Sequence, residues 1–150
     1  MIENFYEITE DGELLSPDWG ECNVGENFQI KKVIGAQWEC NGKKVELKYA
    51  DATVPMCISV YDVVIVTEKS SPDILDDELV VYEADGSERF RVSVPTVSEY
   101  SKPEKAHFYW TEFNDATGEV TQVLNDGTSD YRAKLNVQTG ELSDFVQTRV

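Results

Sequence analysis

Histidine, cysteine and basic residues are all scarce in this chain of 150 residues. It has one histidine, three cysteines, and 13 lysines and arginines against 29 aspartates and glutamates, so its formal net charge is −16. A protein that binds nucleic acid through the phosphate backbone needs a cationic surface, and direct nucleic-acid binding is therefore not expected. The same deficit of positive charge argues against binding to an anionic membrane surface.

Long apolar runs are also missing. The most apolar stretch is Val63-Val64-Ile65-Val66, far shorter than the roughly 20 residues that span a bilayer. The first residues have neither the basic start nor the apolar stretch of a secretory signal. We therefore expect a cytoplasmic protein that forms a single acidic β domain over residues 1–150.

The scarce reactive residues do not form a recognisable catalytic or metal site. Cys22, Cys40 and Cys57 are widely spaced, without a Cys-x-x-Cys pair, and are expected to be reduced and mostly buried. One disulfide with a free thiol stays open for an exported chain. His107 lies among aromatic residues, where a hydrogen-bonded core or interface role is commoner than catalysis. The sequence predicts no enzyme, no catalytic residue, no cofactor and no metal.

Carboxylate pairs and oxygen-rich turns are present, but they are weak signals in so acidic a chain. Pairs such as Asp76-Asp77 arise by chance when 29 acidic residues are available, so glycosidase-type chemistry is not indicated. The run from Asn125 to Asp130 does not match the spacing of a calcium-binding EF-hand loop. We interpret this run as a tight turn.

Regular turn signals separate short segments rich in β-branched and aromatic residues. This pattern predicts a mainly β fold, an antiparallel meander forming a sandwich or partly open barrel. One or two short helical turns are expected, at Ser71-Pro72 and Pro103-Glu104-Lys105, and a long loop over residues 96–105. The turn signals are Asp11-Gly12, Asn41-Gly42, Asp85-Gly86, Thr117-Gly118, Asp126-Gly127 and Thr139-Gly140.

Two of these signals predict hairpins with a definite register. Around Asn41-Gly42, one register aligns the apolar side chains and also places Glu39 opposite Lys44. Around Asp85-Gly86, a two-residue turn would place Glu83 opposite Glu88, which favours a longer turn. The other predicted pairs are Trp38 with Val45, Ala36 with Leu47, Ile34 with Tyr49, Leu79 with Val92, Val81 with Phe90, Val80 with Arg91 and Tyr82 with Arg89.

Three further segments have distinctive patterns. Residues 57–67 are almost continuously apolar, which predicts one central strand buried on both faces. Residues 107–113 have aromatic side chains on both faces of the predicted strand. This strand is therefore either covered on both sides or presents an aromatic face to a partner. Residues 114–121 and 136–143 are similar in sequence, which predicts two matching turns in a C-terminal meander.

Negative charge is concentrated in parts of the sequence. Eight acidic residues precede Lys31 without a basic one, seven more lie in residues 73–88, and residues 31–50 carry +3. Such charge can serve solubility, or it can steer a basic protein partner. Aromatic residues near acidic ones would anchor that partner. The candidate partner-binding residues are Asp18, Trp19, Glu21, Asp73, Asp76, Asp77, Glu78, Tyr82, Glu83, Asp85, Tyr109 and Trp110.

A short, acidic, turn-rich β protein without catalytic residues resembles the immunity proteins of bacterial toxin–immunity systems, including contact-dependent growth inhibition. The resemblance covers size, charge and β character and implies a tight complex with one toxin, often a nuclease, inside the cell. We therefore predict a non-enzymatic inhibitor of a basic toxin with nuclease activity. One alternative is a ligand-binding or hydrolytic β-barrel with a pocket at His107 and Tyr109. Another is a subunit of a larger assembly, with an exposed apolar patch.

Overall fold

The predicted turns divide the chain into antiparallel strands. The computed structural model describes residues 1–16, 32–68 and 78–148, and regular structure in these ranges is almost entirely β. The mainly β prediction is confirmed. The strands are β1 (Ile2–Thr9), β2 (Leu14–Leu15), β3 (Val33–Cys40), β4 (Lys43–Lys48), β5 (Thr53–Ile58), β6 (Val63–Glu68), β7 (Glu78–Glu83), β8 (Glu88–Ser93), β9 (His107–Asn114), β10 (Glu119–Asn125), β11 (Asp130–Leu135) and β12 (Leu142–Thr148).

These strands form three four-stranded sheets. The N-terminal sheet has the order β2-β1-β3-β4, the central sheet β5-β6-β7-β8 and the C-terminal sheet β12-β11-β10-β9. The central and C-terminal sheets are simple meanders because each strand pairs with its neighbour in sequence. In the described ranges no sheet closes into a barrel, so the sandwich is the correct one of the two predicted architectures.

The central sheet is the middle layer, and both of its faces are buried. Ile65 and Leu79 lie on one face and pack toward Phe108 of the C-terminal sheet. Val66 and Val80 lie on the other face and pack toward Trp38 of the N-terminal sheet. Because alternate side chains of a strand point to opposite faces, a middle layer needs apolar residues at every position. This explains the continuous apolar runs of β6 and β7.

The segment 57–67 is not one strand, and this part of the prediction is wrong. A 3-10 turn at Ser59–Tyr61 separates β5 from β6, although neither glycine nor proline marks it. Asp62 adopts a left-handed conformation with φ of 54°, which aspartate tolerates better than most residues. Its carboxylate accepts a hydrogen bond of 2.8 Å from the Ile2 amide. The remaining part, β6, is internal to its sheet and buried, as predicted.

Both predicted hairpins are present. The register around Asn41-Gly42 is confirmed, including Glu39 opposite Lys44. Around Asp85-Gly86 the turn is longer than two residues, as the Glu83–Glu88 clash predicts, because the Glu83 amide donates to the Ser87 carbonyl oxygen. A bulge follows, so the predicted pairing of Tyr82 with Arg89 is wrong. The observed pairs of this second hairpin include Leu79 with Val92, Val80 with Arg91, Val81 with Phe90 and Tyr82 with Glu88.

The two similar C-terminal segments form equivalent turns. The side-chain oxygens of Asn114 and Asn136 each accept hydrogen bonds from the amides of the second and third residues that follow. Their backbone carbonyls bind the amides of Gly118 and Gly140, which both have positive φ. The 3-10 turn at Pro103–Lys105 is confirmed, whereas the turn expected at Ser71-Pro72 lies outside the described residues. None of the helical segments described is long and apolar enough to cross a membrane.

Candidate partner-binding surface

The twelve candidate residues do not form one cluster in the described structure. Half of them lie outside the described residues, namely Asp18, Trp19, Glu21, Asp73, Asp76 and Asp77. The other six separate into two places. Glu78, Tyr82, Glu83 and Asp85 belong to β7 and the turn after it, in the central sheet. Tyr109 and Trp110 belong to β9, in the C-terminal sheet.

Glu78 lies in a cluster of three carboxylates around Arg91. The Arg91 guanidinium forms an ion pair with Glu78. It also pairs with Glu68 at 3.2 Å and with Glu88 at 2.6 Å. The hydrogen bond from Arg91 to Glu78, followed by the bond to Glu88, raises the pKa of Arg91. Burial is the main cause that raises the pKa of Glu68, against the opposing effect of Arg91. The arginine therefore compensates part of the charge that the sequence concentrates here.

Tyr82 is buried where the N-terminal and central sheets meet. Its side chain is only 8% exposed, and its hydroxyl shares a hydrogen bond of 2.6 Å with the Tyr49 hydroxyl. Burial, and then the bond to Tyr82, raises the pKa of Tyr49. In this conformation Tyr82 connects two layers and offers little surface to a partner.

Glu83 and Asp85 are also engaged within the molecule. Arg89 donates to both carboxylate oxygens of Glu83, at 2.5 and 2.6 Å, and these bonds lower the pKa of Glu83. Asp85 accepts hydrogen bonds from the Ser87 hydroxyl and amide, which lower its pKa. Residues 78–88 are the described part of the acidic tract over residues 73–88. They thus have arginines beside them in space, although no arginine lies within the tract in sequence.

Tyr109 and Trp110 lie at a bulge of β9, on the edge of the C-terminal sheet. The Tyr109 ring meets His107 edge-on at a centroid distance of 4.6 Å and lies 5.6 Å from the Trp110 ring. Burial, together with a hydrogen bond to Asp130, raises the pKa of Tyr109. These rings form a continuous aromatic group at one end of the sheet.

Trp110 begins a row of side chains across the outer face of the C-terminal sheet. The strand register aligns Trp110 with Val123, Val123 with Arg132, and Arg132 with Val146. We call these four residues the Trp110 row. Trp110 is 39% exposed and Val146 is 62% exposed, whereas Val123 lies buried between their strands. The row therefore presents apolar surface on a face that lies on the outside of the sandwich.

Glu112 holds two members of this row in place. Its carboxylate accepts a hydrogen bond of 3.0 Å from the Trp110 indole and forms an ion pair with Arg132. The two bonds lower the pKa of Glu112, although burial opposes them. The sequence alone did not indicate Arg132 and Val146, because their place in one row with Trp110 depends on the strand register of β9 to β12. The alternation of charged and apolar residues along β11, in Arg132-Ala133-Lys134-Leu135, was the available signal.

Clefts flank the Trp110 row on both sides. One, of about 500 Å³, lies between Met56 and Cys57 of β5 and residues 110–113 of β9. Burial raises the pKa of the Cys57 thiol, which keeps this part of the cleft wall uncharged, whereas Glu112 adds a carboxylate to the lining. A second, of about 270 Å³, lies beside Arg132 and Val146. His107 and Tyr109 line neither cleft, so these clefts are not the pocket that the β-barrel alternative requires. The clefts suit apolar side chains of another molecule.

Together these features define a three-layer antiparallel β protein with an aromatic and aliphatic outer face. The fold is similar to one chain in the solved structure of Tne2 in complex with Tni2, with a TM-score of 0.74 and 13% sequence identity. The match covers 99% of this chain and all of the other. No protein-family model and no curated protein matches the sequence. At this identity the likeness establishes the shared fold.

Proposed function

We propose that the protein is a non-enzymatic immunity protein that binds and neutralises a toxin. The observation that carries this proposal is the full-length fold similarity to a chain of the Tne2–Tni2 complex, which is a toxin–immunity pair. The size, acidity and β character of the sequence independently resemble immunity proteins. A stable scaffold that presents side chains from rigid strands suits tight binding, because little conformational freedom is lost on association.

The partner is a basic toxin, and we propose that it is a nuclease met in the cytoplasm. The net charge of −16 supports this partner class. Nucleases have cationic grooves for their substrates, which an acidic protein can occupy.

Co-expression with toxin candidates, chosen from the genes that flank the one for this protein, tests the proposal. Cells that make the toxin alone should stop growing, and cells that also make the present protein should grow. The purified pair should elute as one complex. Growth arrest in both strains, together with separate elution of the two proteins, would show that the protein is not an immunity protein for that toxin. Assay of nucleic-acid cleavage by the toxin separately tests its class.

A further inference from the structure

We infer that the toxin binds the outer face of the C-terminal sheet through the Trp110 row. The occupant is a positively charged protein surface with a projecting apolar side chain. This inference rests on the proposed function and adds the location of the contact and the chemistry of the surface that fits it. Neither Arg132 nor Val146 belongs to the set of candidates that the sequence suggests.

The outer face of the C-terminal sheet has an unusual composition. An antiparallel sheet that faces water normally carries polar residues on that side. Here Trp110, Val123 and Val146 stand on it in one register row, together with Arg132. Tryptophan and arginine are the residue types most enriched at the energetic centres of protein interfaces. The row crosses four strands, which makes it roughly 14 Å wide at the usual strand spacing, enough for one element of a partner.

The other described sheet faces differ from this one. Both faces of the central sheet are covered by the other two sheets. On β3 and β4 the outer face of the N-terminal sheet carries alternating charges, with Glu46 between Lys44 and Lys48 as ion-pair partners. That pattern is typical of a solvated surface. Among these described faces, the one with the Trp110 row combines exposed apolar side chains with flanking clefts.

Charge also suits this face to a cationic partner. The ion pairs in and beside the row join three carboxylates, of Glu112, Glu119 and Asp144, to two basic groups, of Arg132 and Lys134, which leaves a net charge of −1. Lys134 reaches Glu119 at 3.1 Å but Asp144 only at 3.5 Å, and the Asp144 side chain is 68% exposed. Asp144 is thus paired with Lys134 but largely exposed, so its carboxylate can also accept a cationic side chain of the partner, next to the apolar contact at Val146. A ring of polar contacts around an apolar centre is the usual anatomy of an interface.

The test measures how tightly matched surface variants bind the toxin that the co-expression experiment identifies, purified as a catalytically inactive variant. Trp110→Ala removes the apolar contact, and Val146→Lys replaces it with a charge that repels a cationic partner. Their controls are Tyr100→Ala and Val60→Lys, since Tyr100 and Val60 are exposed apolar residues elsewhere on the surface. Thermal unfolding of each variant verifies the fold. Amide hydrogen exchange of the wild-type complex gives a readout that needs no substitution.

We expect Trp110→Ala and Val146→Lys each to weaken binding roughly 10-fold or more, as at energetic centres of interfaces, while both controls change it less than about 2-fold. Binding of the toxin should also slow exchange in β9 and β11. Suppose that wild-type protein binds the toxin and protects cells, but all four variants bind equally well and amide exchange in β9 and β11 is not slowed. The proposed binding site is then wrong, and the immunity function stands. If wild-type protein neither binds nor protects cells, both proposals fail.

Discussion

Asp126 organises the connection between β10 and β11 and the long loop before β9. Its buried carboxylate accepts hydrogen bonds from the Thr128 and Ser129 amides, at 2.9 and 2.8 Å, and from the Ser101 hydroxyl at 2.8 Å. Burial by itself would raise the pKa of Asp126, but these bonds outweigh it and lower the pKa to about 2. The composition of residues 125–130 could suggest a cation site. Instead, the Asp126 carboxylate is hydrogen-bonded within the protein, and the run forms a turn.

This lowered pKa predicts acid sensitivity at one residue. Because the pKa is lower in the folded state than the ordinary 3.8, the charged form contributes stability above about pH 4, and that contribution is lost as pH falls toward 2. The size is about 2 kcal/mol. Urea unfolding at several pH values should show this loss in the wild type and a flatter profile in Asp126→Asn. Asp115→Asn, on an exposed turn, is the control and should keep the wild-type profile. Equal profiles for wild type and Asp126→Asn would contradict the assignment.

At the scale of elements, the sequence predicts structure best where the determinant is local. The Asn41-Gly42 turn fixes a hairpin and its register, because both residues tolerate positive φ. The turn at Asp62 carries no such signal, since its conformation is supported by bonds to residues 1 and 2, far away in the sequence. The order of the three sheets also depends on packing between distant segments. Only the continuous apolar runs of β6 and β7 hinted at a middle layer.

Gly35 provides a test of how closely β3 and β4 approach. A Cβ atom added there would lie 1.9 Å from the Leu47 carbonyl oxygen, too close unless the strands separate. We expect Gly35→Ala to lower the free energy of unfolding by roughly 3 kcal/mol, at the upper end of overpacking effects. Gly42→Ala is the control: nothing lies within 4 Å of its added Cβ, so only the left-handed strain of about 1 kcal/mol remains. A smaller loss for Gly35→Ala than for Gly42→Ala in urea unfolding would show that the strands approach less closely.

The candidate site was only partly predictable, and the reason lies in pairing across strands. Trp110 could be selected from its aromatic segment, and it lies on an exposed face. The acidic tract before Glu88 suggested a strongly negative surface, but Arg89 and Arg91 follow it immediately and fold back along β8 onto Glu83 and Glu78. Charge counted along a sequence does not include partners across a sheet. For the same reason the sequence does not reveal that Arg132 and Val146 lie in one cross-strand row with Trp110.

For the whole molecule, the net charge of −16 predicts that association with a basic toxin is electrostatically steered. The association rate constant, measured by stopped flow, should fall about 10-fold or more between low and moderate ionic strength, because salt screens charges beyond about 10 Å at 0.1 M. The dissociation rate constant should change much less, since it depends on close contacts. An association rate constant that is independent of salt would assign the acidic residues to solubility.

An immunity protein neutralises its toxin by binding it in a stoichiometric complex. Titration of the purified protein into the active toxin, with the remaining toxin activity as the readout, tests this directly. Activity should fall linearly and disappear at one equivalent, and heat-unfolded protein should leave it unchanged. Full toxin activity in the presence of a large excess of folded protein would show that the protein does not neutralise the toxin.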